Sequence, residues 1–384
     1  MKKSMKKNFL IFSVLYLILL LTPLINLKIQ KSIPTLTINY NKSVKNKPTI
    51  TTTKNISNKN LLSKKEKSQL KELSNIISAA KTTSNPLNIE HTFHSDGYFN
   101  ILNIQTGNID HIPEKDYVIG AVCAEMPPNF HPEALKAQAI SAHTYALKMR
   151  EEQKKHPDPS LNGADFSADP TNWKKYVTKE IAEKKFANKF NEYWAAITSA
   201  TNDVIDIIML YNNEPIIAAY HAISSGKTES ANNIWGGEAP YLLPTESYGD
   251  DLAPDYETTL TLTTNEVKKI LLDNYPSLHL PPEPSKWFEN IKRSNSSSVL
   301  SVTIDDTEIS GNKIRNLFNL RSLNFNVLYN NPKHTFTFTV KGYGHGVGLS
   351  QYGANYMAKN GSSFDEILKH YYSNISFAYV SNIN

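Results

Sequence analysis

The chain has 384 residues, of which 40% are hydrophobic, and a formal net charge of +5. This length and apolar content suffice for a sizeable folded core and allow one domain or two. Its single cysteine, Cys123, excludes an internal disulfide and a cysteine-rich metal cluster, and we expect it to be a small buried hydrophobe. The charge is unevenly distributed, because residues 1–81 carry a net charge of +14 and residues 82–384 carry −9. The acidic C-terminal part argues against nucleic acid as a partner.

The N-terminus predicts a membrane anchor followed by a tether. An apolar run from Phe9 to Leu27 follows four lysines and is long enough to cross a bilayer at about 1.5 Å per residue. The lysines predict a cytoplasmic tail at residues 1–7, an uncleaved single-pass anchor at residues 8–27, and a chain that is extracytoplasmic beyond it. A cleaved signal peptide is the alternative, but no small-x-small cleavage site follows the run. Residues 28–90, rich in Lys, Asn, Ser and Thr, predict a flexible basic linker.

An ordered α+β domain is predicted for residues 91–384. Tyr98 to Gln105 alternates like a strand, and the short apolar run from Tyr117 to Val122 also favours a strand. Glu125 would then stand at a strand end, before a Met-Pro-Pro break that forbids immediate helix continuation. An alanine-rich, buried helix is predicted to start at Pro132, a residue favoured at the first helical position.

The middle of the chain predicts a hairpin and a polar turn. Leu210 to Tyr220 is typical of a hairpin around Asn212-Asn213 that leads into a Ser-Ser-Gly turn. Gly226-Lys227-Thr228 resembles the end of a phosphate-binding loop, but the required first glycine falls on His221, which excludes a nucleotide site. Glu229 is predicted to pair with Lys227.

Alternating glycines mark the last motif. Gly342, Gly344, Gly346 and Gly348 follow a predicted strand from Thr335 to Val340 and allow backbone or ligand to approach closely. Their spacing fits neither a dinucleotide-binding loop nor a serine nucleophile elbow. His345 is expected to face a groove near Glu125, with a structural histidine as the equal alternative. A capping box, Ser363 with Glu366, predicts the closing helix.

Three stretches together resemble the stage II sporulation protein D family, which includes amidase enhancers of vegetative cell walls. They are AEMPPNFHPEALKAQAISAHTYA (residues 124–146), YHAISSGKTESANNIWGGEAPYLLPTES (residues 220–247) and GYGHGVGLSQYGANYMAKNGSSFDEILKHYYSN (residues 342–374). The resemblance runs from about Tyr98 to Tyr379. It implies a lyase, a peptidoglycan lytic transglycosylase that acts on peptide-stripped glycan strands during engulfment of the forespore. The implied architecture is one α+β catalytic domain with a glycan-binding groove.

The resemblance assigns catalysis to one carboxylate, since the acid of the family's AEMP motif matches Glu125. Cleavage of the MurNAc-GlcNAc link needs a proton on the glycosidic oxygen, and an acid among apolar groups keeps its proton to higher pH. A second carboxylate is not required, because the C6 hydroxyl of the sugar attacks and gives a 1,6-anhydro product. On the residues alone, an acid that caps backbone amides explains Glu125 equally well. Glu133 is expected to be a helix-start residue.

The candidate substrate-binding residues lie within the same three motifs. Tyrosine stacks on sugar faces, and Ser, Lys and His donate to sugar oxygens. Trp235 and Tyr241 are candidates for the groove wall, with a core position as the alternative. The substrate-binding set is Lys136, Gln138, His143, Tyr145, Tyr220, His221, Ser224, Ser225, Lys227, Glu229, His345 and Gln351.

Two departures from the family pattern affect these expectations. His143 stands where the family usually has arginine, so a fixed charge near Glu125 or the substrate is replaced by a group mostly neutral at pH 7. Some clostridial relatives hold zinc in an insert after the first helix, but their Cys, His and Cys fall on Ser167, Asn172 and Trp173 here. We therefore expect no metal and no other cofactor. The insert is expected to be held by packing of Phe166, Trp173 and Tyr176.

The resemblance also implies partners, namely an engulfment amidase, stage II sporulation protein P, and stage II sporulation protein M. Two other functions stay open. One is a non-catalytic, peptidoglycan-binding enhancer of a cell-wall amidase. The other is a two-carboxylate glycoside hydrolase, for which Asp250, Asp251 or Glu246 would supply the second acid.

Overall fold

A computed structural model describes residues 89–171 and 175–382, which form a mixed α/β fold of helices and several sheets. The expected mixture of helices and sheets is confirmed. The predicted tail, anchor and linker lie outside the described residues. Within the described part, none of the helices has both the length and the apolar character needed to span a membrane.

The elements follow one another along the chain as alternating groups of strands and helices. The strands are β1 (His91–Ser95), β2 (Tyr98–Asn103), β3 (Ile109–Pro113), β4 (Phe166–Ala168), β5 (Ile207–Tyr211), β6 (Glu214–Pro215), β7 (Tyr220–His221), β8 (Glu257–Thr263), β9 (Glu289–Arg293), β10 (Val299–Ile304), β11 (Thr307–Ser310), β12 (Asn324–Asn330), β13 (Thr335–Lys341), β14 (Leu349–Ser350) and β15 (Ser376–Asn382). The helices are α1 (Glu114–Glu125), α2 (Pro132–Lys155), α3 (Lys179–Phe186), α4 (Phe190–Asn202), α5 (Ala231–Trp235), α6 (Thr264–Asn274), α7 (Gly311–Leu317), α8 (Gln351–Lys359) and α9 (Phe364–Tyr371).

Helix α1 is the main correction to the sequence-based prediction. The run from Tyr117 to Val122, predicted as a strand, lies in the middle of this helix, and all six of its residues are buried. A short apolar run does not distinguish a buried strand from a helix packed on all sides. Glu114 and Asp116 in the first turn favour the helix, because carboxylates stabilise the positive end of its dipole. Glu125 is therefore the last residue of a helix and does not follow a strand.

Helix α2 is the centre of the fold and contacts α1, α4, α8, α9 and β5. It begins as predicted, with Pro132 at its first position, and His131 Nδ1 accepts a hydrogen bond from Glu133 N at 3.3 Å. Its alanines allow the neighbouring elements to approach closely. Those at most 2% exposed are Ala134, Ala137, Ala139, Ala142 and Ala146. The prediction of a buried helix is confirmed.

A four-stranded sheet with the order β1-β15-β5-β6 joins the two ends of the described chain. Strand β15 pairs in parallel with β1 and antiparallel with β5. The predicted hairpin is confirmed by β5 and β6, with Asn212 and Asn213 at φ values of 52° and 62° between them. Two residues of positive φ are what a tight type I′ hairpin turn requires. The predicted strands at Tyr98 and Thr335 are confirmed as β2 and β13.

Residues 257–341 lie between β7 and β14 and contain a hydrophobic cluster of their own. Their first and last strands, β8 and β13, pair over their whole length, from Glu257 opposite Lys341 to Thr263 opposite Thr335. The chain therefore leaves and returns at one place, which allows β7 and β14 to pair in parallel. At this return Gly348 has a φ of 71°, and a Cβ there would lie 2.0 Å from Ala219 O. Only glycine permits this approach.

The insert between α2 and α3 packs through aromatic rings. Phe166 and Tyr176 each contact Tyr117, with ring centroids 5.4 Å apart in both pairs. Packing by these two residues is as predicted, whereas Asn172 and Trp173 lie outside the described residues. Among the residues that are described, no group of His, Cys, Asp and Glu side chains is arranged to hold a metal ion.

Candidate functional site

The three motifs meet around the end of α1. The loop after Glu125 is fixed to α8 at two points: Phe130 packs edge-on against Tyr352 with centroids 5.0 Å apart, and His131 N donates to Asn355 Oδ1 at 2.9 Å. Tyr352 N in turn donates to Ala222 O at 3.1 Å. The third motif thus holds the first and the second in place. Neither contact was predicted, because each joins residues distant in sequence.

Glu125 is half-buried, and its charge acts on Tyr220. Burial, followed by the negative charge of Glu125, raises the pKa of Tyr220 well above its usual value, and Tyr145 adds to the effect. The Tyr220 hydroxyl therefore keeps its proton near neutral pH and remains a hydrogen-bond donor. Glu125 of α1 and Tyr145 of α2 thus both act electrostatically on Tyr220 of β7.

Two histidines lie beside Tyr220. The rings of His221 and His345 have centroids 5.6 Å apart, and Trp235 contacts His345 edge-on at 5.0 Å. His345 Nδ1 accepts from Val347 N at 3.0 Å while the ring also donates to the Tyr220 backbone, so the hydrogen-bond network assigns its proton to Nε2. Burial lowers the pKa of His345 well below its usual value, with His221 as the second cause.

His221 is more deeply buried than its neighbour, at 4% exposure. Its Nδ1 lies 3.1 Å from Val347 O and must donate to that carbonyl, which leaves Nε2 as an acceptor. Nε2 has no hydrogen-bond partner among the described residues. Burial lowers the pKa of His221 to about 4. Both imidazoles are therefore neutral at pH 7 and add no positive charge beside Tyr220.

Ser224 and Asp250 form a buried polar junction. Ser224 N and Oγ donate to Asp250 Oδ2 at 3.1 and 2.5 Å, and Ser350 Oγ donates to Oδ1 at 2.7 Å. Asp250 is fully buried, and burial raises its pKa although the serine hydrogen bonds act against this. The junction connects the second and third motifs. Ser224 also lines a small cavity with Ser225, Lys227 and His345, whereas the burial of Asp250 argues against it as a second catalytic acid.

Comparison with known proteins places this geometry in a family. A family model described as Stage II sporulation protein matches residues 103–211. Stage II sporulation protein D of Bacillus subtilis (strain 168) is 34% identical over 266 residues, which cover 69% of this chain and 74% of that protein. This chain belongs to the stage II sporulation protein D family. The Bacillus amyloliquefaciens protein of the same name is 33% identical over 271 residues, 71% of this chain and 76% of that protein.

A more distant relative of this stage II sporulation protein D family member is the Amidase enhancer of Bacillus subtilis (strain 168). It is 26% identical over 314 residues, which cover 66% of this chain and 39% of that protein. The matched family model contains Glu125, α1 and α2 but ends before Tyr220 and the histidine pair. The two Bacillus relatives match about 70% of this chain, and they therefore support the family assignment more strongly than the family model does.

Two other predicted site residues, Lys227 and Glu229, bind other side chains or backbone groups of the protein itself. The predicted Lys227-Glu229 pair is wrong, because Lys227 Nζ lies 3.0 Å from Glu246 Oε1. Glu229 is 1% exposed and accepts from Ser230 N and Asn233 Nδ2, both at 2.9 Å. It thereby provides acceptors at the start of α5, where backbone amides lack helical partners.

His143 lies at the opposite end of α1 from Glu125. Its Nε2 is 3.1 Å from Glu114 Oε2, and Arg150 Nη1 is 2.8 Å from Glu114 Oε1. Glu114 and Glu125 are separated by eleven residues of helix, or about 16 Å at 1.5 Å per residue. His143 is 1% exposed and completes a buried ionic cluster. The expectation that it steadies Glu125 or contacts substrate is therefore corrected.

The remaining candidates divide between buried contacts and accessible positions. Gln138 and Gln351 are buried and bonded to each other at 3.3 Å, which joins α2 to α8. Ser225 is half-buried, and its carbonyl accepts from Tyr256 at 3.1 Å. Lys136 pairs with Glu133 at 3.0 Å and with Asp203 at 3.1 Å.

The two aromatic candidates for the groove wall differ in burial. Tyr241 is 8% exposed, and its hydroxyl accepts from Ile217 N at 3.0 Å, so it belongs to the core. Trp235 is half-buried against His345 and keeps part of its surface accessible. Of the two, Trp235 alone retains the position expected of a groove residue.

Proposed function

We propose that this protein is a peptidoglycan lytic transglycosylase that cleaves the MurNAc-GlcNAc bond of peptide-stripped glycan strands. The observation that supports this best is the position of Glu125, half-buried at a helix end, where its charge acts on Tyr220 and the loop that follows it is fixed to α8. Other acids in or near the motifs are already engaged, since Asp250 is buried, Glu229 accepts from Ser230 N at the start of α5 and Glu246 pairs with Lys227. The arrangement suits chemistry that needs one carboxylate.

The proposed reaction returns Glu125 to its starting state. Its carboxylic acid donates a proton to the glycosidic oxygen, and the bond between that oxygen and C1 of MurNAc breaks. The C6 hydroxyl of the same MurNAc then bonds to C1 as its proton passes to the Glu125 carboxylate. The products are a 1,6-anhydroMurNAc end and a GlcNAc end with a free 4-hydroxyl, and no water is consumed. In this proposal the Tyr220 hydroxyl, which keeps its proton, and Tyr145 bind the sugar near this acid.

The proposed setting is cell-wall remodelling during engulfment of the forespore, with the chain anchored in the cell membrane and its catalytic part outside. Membership of the stage II sporulation protein D family supports the link to sporulation. Peptide-stripped strands are the product of an amidase, so an amidase must act first on the same wall. The proposed partners are accordingly the engulfment amidase, stage II sporulation protein P, and stage II sporulation protein M.

A second candidate is a non-catalytic enhancer that binds peptidoglycan and stimulates an amidase. It is favoured by the similarity to the Amidase enhancer of Bacillus subtilis. In that case the cluster of Glu125, Tyr145 and Tyr220 would bind a glycan strand and leave it intact.

Product analysis separates the candidates. The full chain in detergent is incubated with purified glycan strands, either peptide-stripped or carrying stem peptides, and the ends are identified by mass spectrometry. We expect anhydroMurNAc ends from the stripped strands. Reducing MurNAc ends would instead indicate a hydrolase, and binding without cleavage would support the enhancer.

A further inference from the structure

Helix α4 borders an open groove that lies outside the cluster around Glu125. The groove has a volume of about 520 Å³, which is the size of many ligand-binding clefts. Its lining consists of one face of α4, the residue that follows α4 and the first residue of α3, and includes Trp194, Ala195, Thr198 and Lys179. None of these residues belongs to the three motifs of the sequence analysis.

The lining combines the side-chain types that bind sugars. Trp194 is half-buried, with its ring packed at 5.5 Å from Phe190, so a fixed aromatic surface borders the groove. Asn191 and Asn202 supply amides, and Thr198 Oγ1 has no hydrogen-bond partner among the described residues. Such groups suit the hydroxyl and acetamido oxygens of a glycan.

The charge of the groove suits a peptide-stripped strand in particular. Removal of the stem peptide leaves a free lactyl carboxylate on each MurNAc. The acid in the groove, Asp203, is already paired with Lys136 at 3.1 Å. Lys179 forms no ion pair with another described residue and therefore supplies a cation for a carboxylate.

The groove is connected to the candidate catalytic region through Asp203. This residue lines the groove directly after the end of α4 and bonds Lys136, which lies on α2 eleven residues after Glu125. Helix α4 also packs against both α1 and α2. One end of the groove therefore reaches the two helices that carry Glu125 and Tyr145.

We propose that the α4 groove is a second binding site for peptide-stripped glycan, which holds the strand at a distance from the bond that is cut. The proposal rests on the proposed function for the identity of the substrate. It gives the protein a preference for long strands over short ones, because only a long strand occupies the groove and the Glu125 cluster together.

The test compares two neighbouring alanines of α4. Ala195 lines the groove, whereas Ala196 does not, and both are exposed. Each is changed to glutamate in the full chain carrying Glu125→Gln, so that bound strands stay intact. Glutamate is a good helix former, so both variants retain the helix. Binding is measured to long peptide-stripped strands and to a short oligosaccharide.

The new carboxylate of Ala195→Glu lies in the groove and repels lactyl groups. We expect it to weaken binding of long strands about tenfold, as loss of one or two polar contacts does. Binding of the short oligosaccharide should not change, and Ala196→Glu should bind both as the parent does. Trp194→Ala should weaken long-strand binding in the same way. Parental binding of long strands by both Ala195→Glu and Trp194→Ala would overturn the proposal and leave the groove to another occupant.

Failure of this proposal is distinguishable from failure of the proposed function. Binding is measured without cleavage, so selective weakening by Ala195→Glu in a protein that yields no anhydro ends would support the groove and contradict the enzyme. Cleavage by the native chain together with equal binding by all variants would contradict the groove alone.

Discussion

At the scale of single residues, two neutral histidines lie beside Tyr220. His221 and His345 are both neutral at pH 7 because burial disfavours their charged forms. Their neutrality leaves the pair Glu125 and Tyr220 without a competing positive charge from these rings. Unfolding exposes the histidines to water, so their protonation is linked to stability.

We predict that His221 makes the protein less stable as the pH falls from about 7 to about 4. The unfolded chain gains a proton near the ordinary pKa of 6.5, whereas folded His221 resists protonation until its pKa of about 4 is reached. The unfolded state binds more protons than the folded state in this window, so the free energy of unfolding decreases as the pH decreases. His221 alone accounts for a loss of up to about 3 kcal/mol by the lower end of the window.

Chemical denaturation across this pH range measures the effect. The His221→Gln variant should show a shallower loss of stability than the parent. His279→Gln, at a side chain that is 92% exposed, is the control and should keep the parental slope. Identical slopes for all three proteins would contradict the assignment.

The sequence alone suggests Glu125 as the candidate acid, but the contacts of the other site residues could be predicted only in part. Glu125 was recognisable because the Met-Pro-Pro break isolates it from the next helix. The ion-pair partner of Lys227 could not be recognised in the sequence. Glu246 lies nineteen residues away and is brought to Lys227 by a β-bridge between their two backbone segments. Pairing with Glu229 looked simpler in sequence, but that acid is needed at the start of α5.

At the scale of elements, α1 carries two acids with different roles at its two ends. Glu125 ends the helix at the candidate site, and Glu114 begins it inside a buried cluster with His143, Arg150 and Ser95. Burial favours a higher pKa for Glu114, but hydrogen bonds and charges outweigh it and lower the pKa. The hydrogen bond with His143 makes the largest contribution to this lowering. The sequence signal for Glu114 was its place directly after Pro113, where a helix start favours an acid. Its partners are 29 and 36 residues away and had no local signal.

We predict that Glu114→Gln destabilises the protein by about 3 kcal/mol, because it removes the buried carboxylate that faces Arg150. Urea denaturation near neutral pH measures the free energy of unfolding. Asp96→Asn is the matched control, since Asp96 also contacts Arg150 but is 61% exposed. Asp96→Asn should lower the free energy of unfolding by less than about 1 kcal/mol. Equal effects of the two substitutions would show that burial of the pair is unimportant.

At the scale of the whole molecule, the long-range pairings were beyond the reach of sequence patterns. The mixture of helices and strands followed from local periodicity, as in β2, β13 and the β5-β6 hairpin. The parallel pairing of β7 with β14 could not be predicted from local periodicity. It depends on residues 257–341, whose first and last strands pair and so bring the chain back to where it left. The three motifs were separately visible in sequence, but this return is what places them side by side.

We predict that removal of residues 1–27 releases the protein from the membrane fraction of cells into the soluble fraction. The apolar run in these residues is the proposed anchor, and an anchor of this length dominates membrane attachment. Deletion of a similar length of the basic linker, residues 34–60, is the control and should leave the protein with the membrane. Retention of the 1–27 deletion in salt-washed membranes would contradict the anchor and indicate attachment elsewhere in the chain.

The most direct test of the central claim is the yield of anhydroMurNAc ends from peptide-stripped strands with Glu125→Gln. Glutamine keeps the shape of the side chain but cannot donate the proton, so we predict a loss of about 10²- to 10⁴-fold with strand binding retained. Asp251→Asn, at an exposed acid among the candidates for a second carboxylate, should give the parental yield. Parental yield from Glu125→Gln would contradict the mechanism.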